Sequence, residues 1–165
     1  MRTISASELV AKQVKNVLVT GGCGFIGSHR VDVLMRKEAN VHVIDNLSTG
    51  TMQHLKQWFT NSRFRFVEGD LLDTQALISL GSEFDFVFHL AANPEVRVSS
   101  TDPHIHFQQN VITTYNLLEY LREKRKGFTI SFASTSAIYG EPRIIPNPET
   151  YAPFQIFLLD SVQST

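Results

Sequence analysis

Short apolar runs recur along the chain: NVLVT at 16–20, VHVID at 41–45, RFRFVEGD at 63–70, FDFVFHLAA at 84–92 and FTISFAS at 128–134. Bounded apolar runs of this length read as strands, and strands that alternate with helices lie in a parallel sheet buried on both faces. Between them the apolar positions take helical spacing, over 25–37, more weakly over 52–59, briefly over 74–80 and at length over 110–126. The alternation predicts an α/β fold, a doubly wound, Rossmann-like parallel sheet of about five strands and about four helices.

The pattern breaks at residues 141–153, where Pro142, Pro146, Pro148 and Pro153 crowd into an irregular loop. FQIFLLDSVQST then resumes a helical period with no Gly or Pro stop behind it. The expectation is a sheet truncated after about five strands, with the first turns of one more helix.

Composition narrows the class. A length of 165 residues suits one domain. With 42% hydrophobic and 19% charged residues and a formal net charge of −1, the chain reads as soluble and globular. There is no dense basic face for nucleic acid. Cys23 is the single cysteine, so no internal disulfide forms, and no Cys/His cluster has zinc spacing. No apolar stretch reaches the roughly eighteen residues of a membrane span. Residues 1–15, an N-terminal extension, lack a signal-peptide apolar region, and Ser5-x-x-Glu8 suits the cap of a short surface helix. These features together predict a cytoplasmic protein with no bound metal.

NVLVTGGCGFIGSH carries the most chemistry. Gly21, Gly24 and Gly27 fit GxxGxxG, and Gly22, Gly24 and Gly27 fit GxGxxG, directly after a strand and opening a helix. A dinucleotide site needs such glycines for a tight turn, for close approach of a pyrophosphate and for helix–strand packing. The helix N-terminus adds free amides and a partial positive charge. No Gly-Lys-Ser/Thr follows, which excludes a P-loop. Asp45, eighteen positions after Gly27 at the end of the second strand, suits the adenosine ribose hydroxyls and repels a 2′-phosphate, favouring NAD over NADP. Two plainer readings stay open: a glycine turn kept only for packing, and Asp45 as an Asx-turn residue. On this basis residues 16–165 form an NAD-binding domain.

TGGCGFIGSH, DNLSTG, EGDLLD, HLAANPEVRVSSTDP, NVITTYNLLE and FASTSAIYGEP, in this order, resemble the extended short-chain dehydrogenase/reductase family. The likeness is strongest to its NAD-dependent epimerase/dehydratase branch, the UDP-glucose 4-epimerase type. The resemblance implies that Phe25 and Ile26 present backbone to the pyrophosphate. It places Asp45 and Asn46 at the adenosine ribose, with Ser48, Thr49 and Gly50 nearby. Asp70 and Leu71 would flank the adenine, and Leu90, Ala91, Ala92 and Asn110 would line the cofactor cleft. Thr135 matches the family's catalytic hydroxyl. A nucleotide sugar is the implied substrate, and family members often dimerise through the Asn110 helix and the catalytic helix, so the resemblance allows a homo-oligomer.

The family's Tyr-x-x-x-Lys pair holds a general acid/base and the lysine that tunes it on one helix face. Its register in YAPFQIFLLDSVQST falls on Leu159 and Gln163, neither of which transfers a proton. The family's substrate domain has no counterpart in the sequence. The expectation is an epimerase by ancestry with little or no activity, whether it is an enzyme being left uncertain; the alternatives are a non-catalytic NAD-binding module and a truncated fragment.

Other residues add less. Arg30 falls between Ile26 and Val33 on the helix face expected to pack on the sheet, where a guanidinium would have to snorkel out or meet a carboxylate. Cys23 reads as a spacer, His104 and His106 as a surface pair, and His89 as a satisfied structural imidazole.

Overall fold

The computed structural model describes residues 16–81, 84–95, 101–124, 127–135, 139, 144–146 and 148. β1 (Asn16–Thr20), β2 (Asn40–Asp45), β3 (Phe64–Glu68), β4 (Phe86–His89) and β5 (Thr129–Phe132) pair in parallel in the order β3-β2-β1-β4-β5. The chain winds outward from β1 to β3, returns to β4 on the other side of β1 and continues to β5. This is the predicted doubly wound topology, and the strand order reverses between β1 and β4, where such a sheet takes its ligand.

Each strand is crossed by helices: α1 (Phe25–Arg36), a 3-10 helix (Met52–Trp58), α2 (Thr74–Leu80), and α3 (Pro103–His106), which runs through a π-type turn (Phe107–Ile112) into α4 (Thr113–Lys124). Side chains alternate across β1, so the core has two layers. Val17 and Val19 join Val41, Val43 and Phe86 against Val31 and Met35 of α1 and Leu55 of the 3-10 helix. Leu18, Ile44 and Val87 face Leu77 and Leu80 of α2 and Leu117 and Leu121 of α4. The near-continuous apolar reading of β1 follows, because both of its faces are covered.

The helical elements depart from the sequence pattern in two places. The fourth crossover helix begins at Pro103, well before residue 110, because Asp102 accepts the His104 amide at 3.1 Å and Pro103 occupies the first helical turn. The segment expected over 52–59 is a 3-10 helix, with Leu55 as its one buried residue. It is strapped to α1 by Gln57 Nε2 and Trp58 Nε1, each donating to Asp32 Oδ1 at 2.7 Å.

Arg30 corrects an expectation about α1. The helix buries Gly27, Ser28, Val31 and Met35, while Ile26 (69% exposed), Arg30 and Val33 face outward. The reason is Gly27, which must press on the turn before it, so the stripe through 27, 28, 31 and 35 becomes the inner face. Among the described residues Arg30 meets no carboxylate, and it does not lie in the core; its guanidinium carbon sits 4.6 Å from the Phe88 ring centroid, a cation–π contact at the flank of β4.

The chain divides into two compact units, residues 1–132 and 133–165. In the second, Ser134, Thr135, Ile144 and Ile145 are exposed. The Ser5-x-x-Glu8 cap, the FQIFLLDSVQST helix, Leu159 and Gln163 lie outside the described residues. Among the described residues no helix is long and apolar enough to cross a membrane.

Candidate functional site

The carboxyl ends of β1, β2, β3 and β4 bring together most of the sequence-predicted residues. Gly21 leaves β1 with φ +69°, and its amide donates to the Ile44 carbonyl at 2.9 Å. A β-carbon there would lie 2.7 Å from the Ala91 amide nitrogen, so the turn sits directly against the loop after β4. Gly27 is tighter still: a β-carbon would come 2.1 Å from the Gly21 carbonyl oxygen. Packing therefore explains Gly21 and Gly27.

Packing does not explain Gly24. It caps α1 in ordinary extended backbone (φ −72°), and an added β-carbon would find only the Gly21 oxygen, at 3.4 Å. What its missing side chain leaves is open space in front of the turn. The helix it caps has no side-chain cap, so the first amides of α1, including those of Phe25 and Ile26, have no intrahelical acceptor. The Phe25 side chain, 76% exposed, points away from the core.

Asp45 ends β2 at 9% exposure. Its Oδ2 accepts the Cys23 amide and its Oδ1 accepts the Leu47 amide, both at 2.8 Å. The Asx turn left open by the sequence is therefore real, but each oxygen keeps a lone-pair direction for a further donor. Asn46 donates to Asp70 Oδ2 at 2.8 Å and accepts the Ser48 amide at 3.1 Å, joining the loops after β2 and β3. Ser48 and Thr49 are exposed, whereas Gly50 packs so closely that a β-carbon would lie 2.7 Å from the Cys23 carbonyl carbon. Leu71 stands apart: its side chain is buried in the second core layer.

Cys23 itself is fully buried, and burial, then the negative charges of Asp45 and Glu68, push its thiol up to about 12. It is the inert spacer that the sequence suggests.

Behind the loop after β4 lies a network that local sequence patterns do not reveal. Thr20 Oγ1 accepts from the Leu90 and Ala91 amides, both at 3.2 Å, which fills its two lone pairs. Its hydroxyl must then donate to His89 Nδ1, 2.7 Å away. Thr114 donates to the Asn110 carbonyl at 2.6 Å, so His89 Nε2 carries the proton and donates to Thr114 Oγ1 at 2.9 Å. The chain of donors fixes one neutral tautomer of His89, and burial lowers its pKa to about 4. Only the parallel register, which sets Thr20 opposite His89, brings these groups together.

Asn110 turns its side chain to the same loop, accepting the Asn93 amide at 2.7 Å, with its Nδ2 3.1 Å from His106 Nδ1. His106 Nε2 donates to the Glu95 carbonyl at 2.9 Å, so this histidine ties the loop to the helix. No group of three or more His, Cys, Asp or Glu side chains able to hold a metal occurs among the described residues. Ala92 is exposed beside Leu90 and Ala91; Thr135 belongs to the second unit.

The family model described as GDP-mannose 4,6 dehydratase matches residues 18–155. UDP-glucuronic acid decarboxylase 3 of Arabidopsis thaliana is 41% identical over 136 residues, which cover 82% of this chain and 38% of that protein. The UDP-glucose 4-epimerase of Thermus thermophilus, solved in complex with NAD, superposes with a TM-score of 0.72 at 39% identity, covering 84% of this chain and 44% of that one. The UDP-Glc/GlcNAc 4-epimerase of Campylobacter jejuni gives a TM-score of 0.76 at 33% identity, with 86% and 44% covered. The chain thus spans less than half the length of these relatives. It belongs to the GDP-mannose 4,6 dehydratase family, within the extended short-chain dehydrogenase/reductase epimerases and dehydratases.

The neutral, buried His89 predicts an acid limb in stability. The unfolded histidine takes a proton below about 6.5 and the folded one only near 4, so stability falls as pH drops through that window. The loss is about 3 kcal/mol. Urea midpoints across this range should show the extra decline in the wild type and lack it in His89→Gln; parallel profiles would contradict the assignment.

Proposed function

On that membership, we propose that the chain is the NAD-binding part of an enzyme that transforms a nucleotide sugar, of the UDP-glucose 4-epimerase type. Gly24 carries the reading: it is a glycine that no packing contact requires, standing where the free amides of α1 begin.

The residues present fit the cofactor. The amides of Phe25 and Ile26 hold the pyrophosphate, while Asp45 accepts the adenosine ribose hydroxyls and its charge excludes a 2′-phosphate. Asn46, Ser48, Thr49 and Gly50 close the ribose side, and Asp70 and the backbone at Leu71 border the adenine. Leu90, Ala91, Ala92 and Asn110 line the nicotinamide side of the cleft. When bound, NAD supplies a hydride acceptor for a sugar carbon. Thr135 would hydrogen-bond the sugar oxygen, but Leu159 and Gln163 provide no proton acceptor at the positions where the family carries its acid/base pair.

A second copy of the chain is the proposed partner of the helical face that carries Phe107, Val111, Tyr115 and Leu118. These exposed apolar residues recur at one-turn spacing along the π-type turn and α4. Sedimentation velocity should give a dimer that Tyr115→Glu converts to monomer; a monomeric wild type would remove this part of the proposal.

Two glycine variants separate architecture from binding. Gly24→Ala should keep the wild-type urea midpoint yet bind NAD⁺ at least about tenfold more weakly, since a displaced hydrogen bond to a charged group is worth about 1.5–3 kcal/mol. Gly27→Ala should lose about 3 kcal/mol of stability through overpacking. Unchanged NAD⁺ affinity in Gly24→Ala would contradict the proposed function. For the missing proton pair, the purified chain should show no steady-state epimerisation of UDP-glucose, and a clear rate would contradict that reading of Leu159 and Gln163.

A further inference from the structure

We infer that His54 is a positioning residue for the phosphate-binding turn, an inference that rests on the dinucleotide reading above. His54 is exposed overall, yet its Nδ1 lies 3.0 Å from the carbonyl oxygen of Cys23, in the middle of the glycine turn. A carbonyl only accepts, so Nδ1 carries the proton and donates. The Thr51 amide donates to the same oxygen at 3.1 Å. Both lone pairs of the Cys23 carbonyl are therefore taken by the segment that follows the ribose loop, while the Cys23 amide is held by Asp45.

This segment is firmly anchored. Leu55, next to His54, is fully buried in the same core layer as Cys23. One turn later, Gln57 and Trp58 bind Asp32 on α1, the helix whose N-terminus carries the turn. Gly50 closes the remaining space against Cys23. His54 thus braces the turn that leads directly into the amides of Phe25 and Ile26, and fixes the direction in which those amides point. Nothing in the motif requires a donor here; the arrangement arises because the loop after β2 folds back over the turn.

The test compares His54→Leu with His54→Asn, which are close in size; asparagine alone can place an N–H at the same δ position as the imidazole. Calorimetric titrations should show His54→Leu weakening NAD⁺ and ADP alike by about two- to tenfold, with adenosine unaffected, and His54→Asn within about twofold of the wild type. Equal affinities in all three proteins, or an equal loss for adenosine, would overturn the assignment. The amide resonances of Gly24, Phe25 and Ile26, recorded without ligand, give an independent readout. They should move in His54→Leu while those of Val17 and Val19 stay in place; unmoved turn resonances would overturn the assignment even without any ligand. A wild-type chain that binds neither NAD⁺ nor ADP would instead defeat the dinucleotide reading, and the resonances would still decide the role of His54.

Discussion

The bond from the Cys23 amide to the Asp45 carboxylate, 2.8 Å long and nearly shut off from water, ties the turn after β1 to the end of β2. A carboxylate this buried is costly unless it is hydrogen-bonded, and here two backbone amides meet it, from Cys23 and Leu47. The consequence is functional as well as structural. The carboxylate proposed to take the ribose hydroxyls is the same group that holds the glycine turn in place, so the two parts of the proposed site are tied together. The Cys23 carbonyl extends that unit to Thr51 and His54.

On the other side of β1 a different device performs the same task. Thr20, His89 and Thr114 form a donor chain whose direction is set by the two amides that Thr20 accepts. It fastens the Leu90–Ala91 loop to β1 and α4 at the point where the strand order reverses. Gly21, in contact with Ala91, lets the two loops meet. The loops at the carboxyl ends of β1 and β4 are therefore held by side-chain hydrogen bonds as well as by the sheet, the kind of preorganisation that spares a ligand the entropy of ordering its site.

Much of this was legible in the sequence where the determinants are local. The β1 strand is read correctly to the residue, and the glycine turn after it is legible because strand, turn and helix follow one another directly in the chain. The strand order extends the same logic. His89 reads as a satisfied structural imidazole, as found, but its partners and the role of His54 were not legible, since each depends on a partner about thirty or more positions away that only the sheet register and loop packing supply. Arg30 misleads for a related reason: helical periodicity identifies an apolar face, but the contact of Gly27 with the turn decides which face of α1 goes inward. The side chain of Leu71, which the family resemblance sets beside the adenine, packs in the core, which leaves only its backbone for that place.

The central claim, that the Gly24 turn and the Asp45 carboxylate are a working NAD site held ready by the protein, is tested most directly by calorimetric titration of the purified chain with NAD⁺ and, separately, NADP⁺. The account predicts saturable NAD⁺ binding and NADP⁺ binding at least about tenfold weaker, because the 2′-phosphate meets the Asp45 charge. A folded chain that binds neither dinucleotide, or binds both equally well, would contradict it.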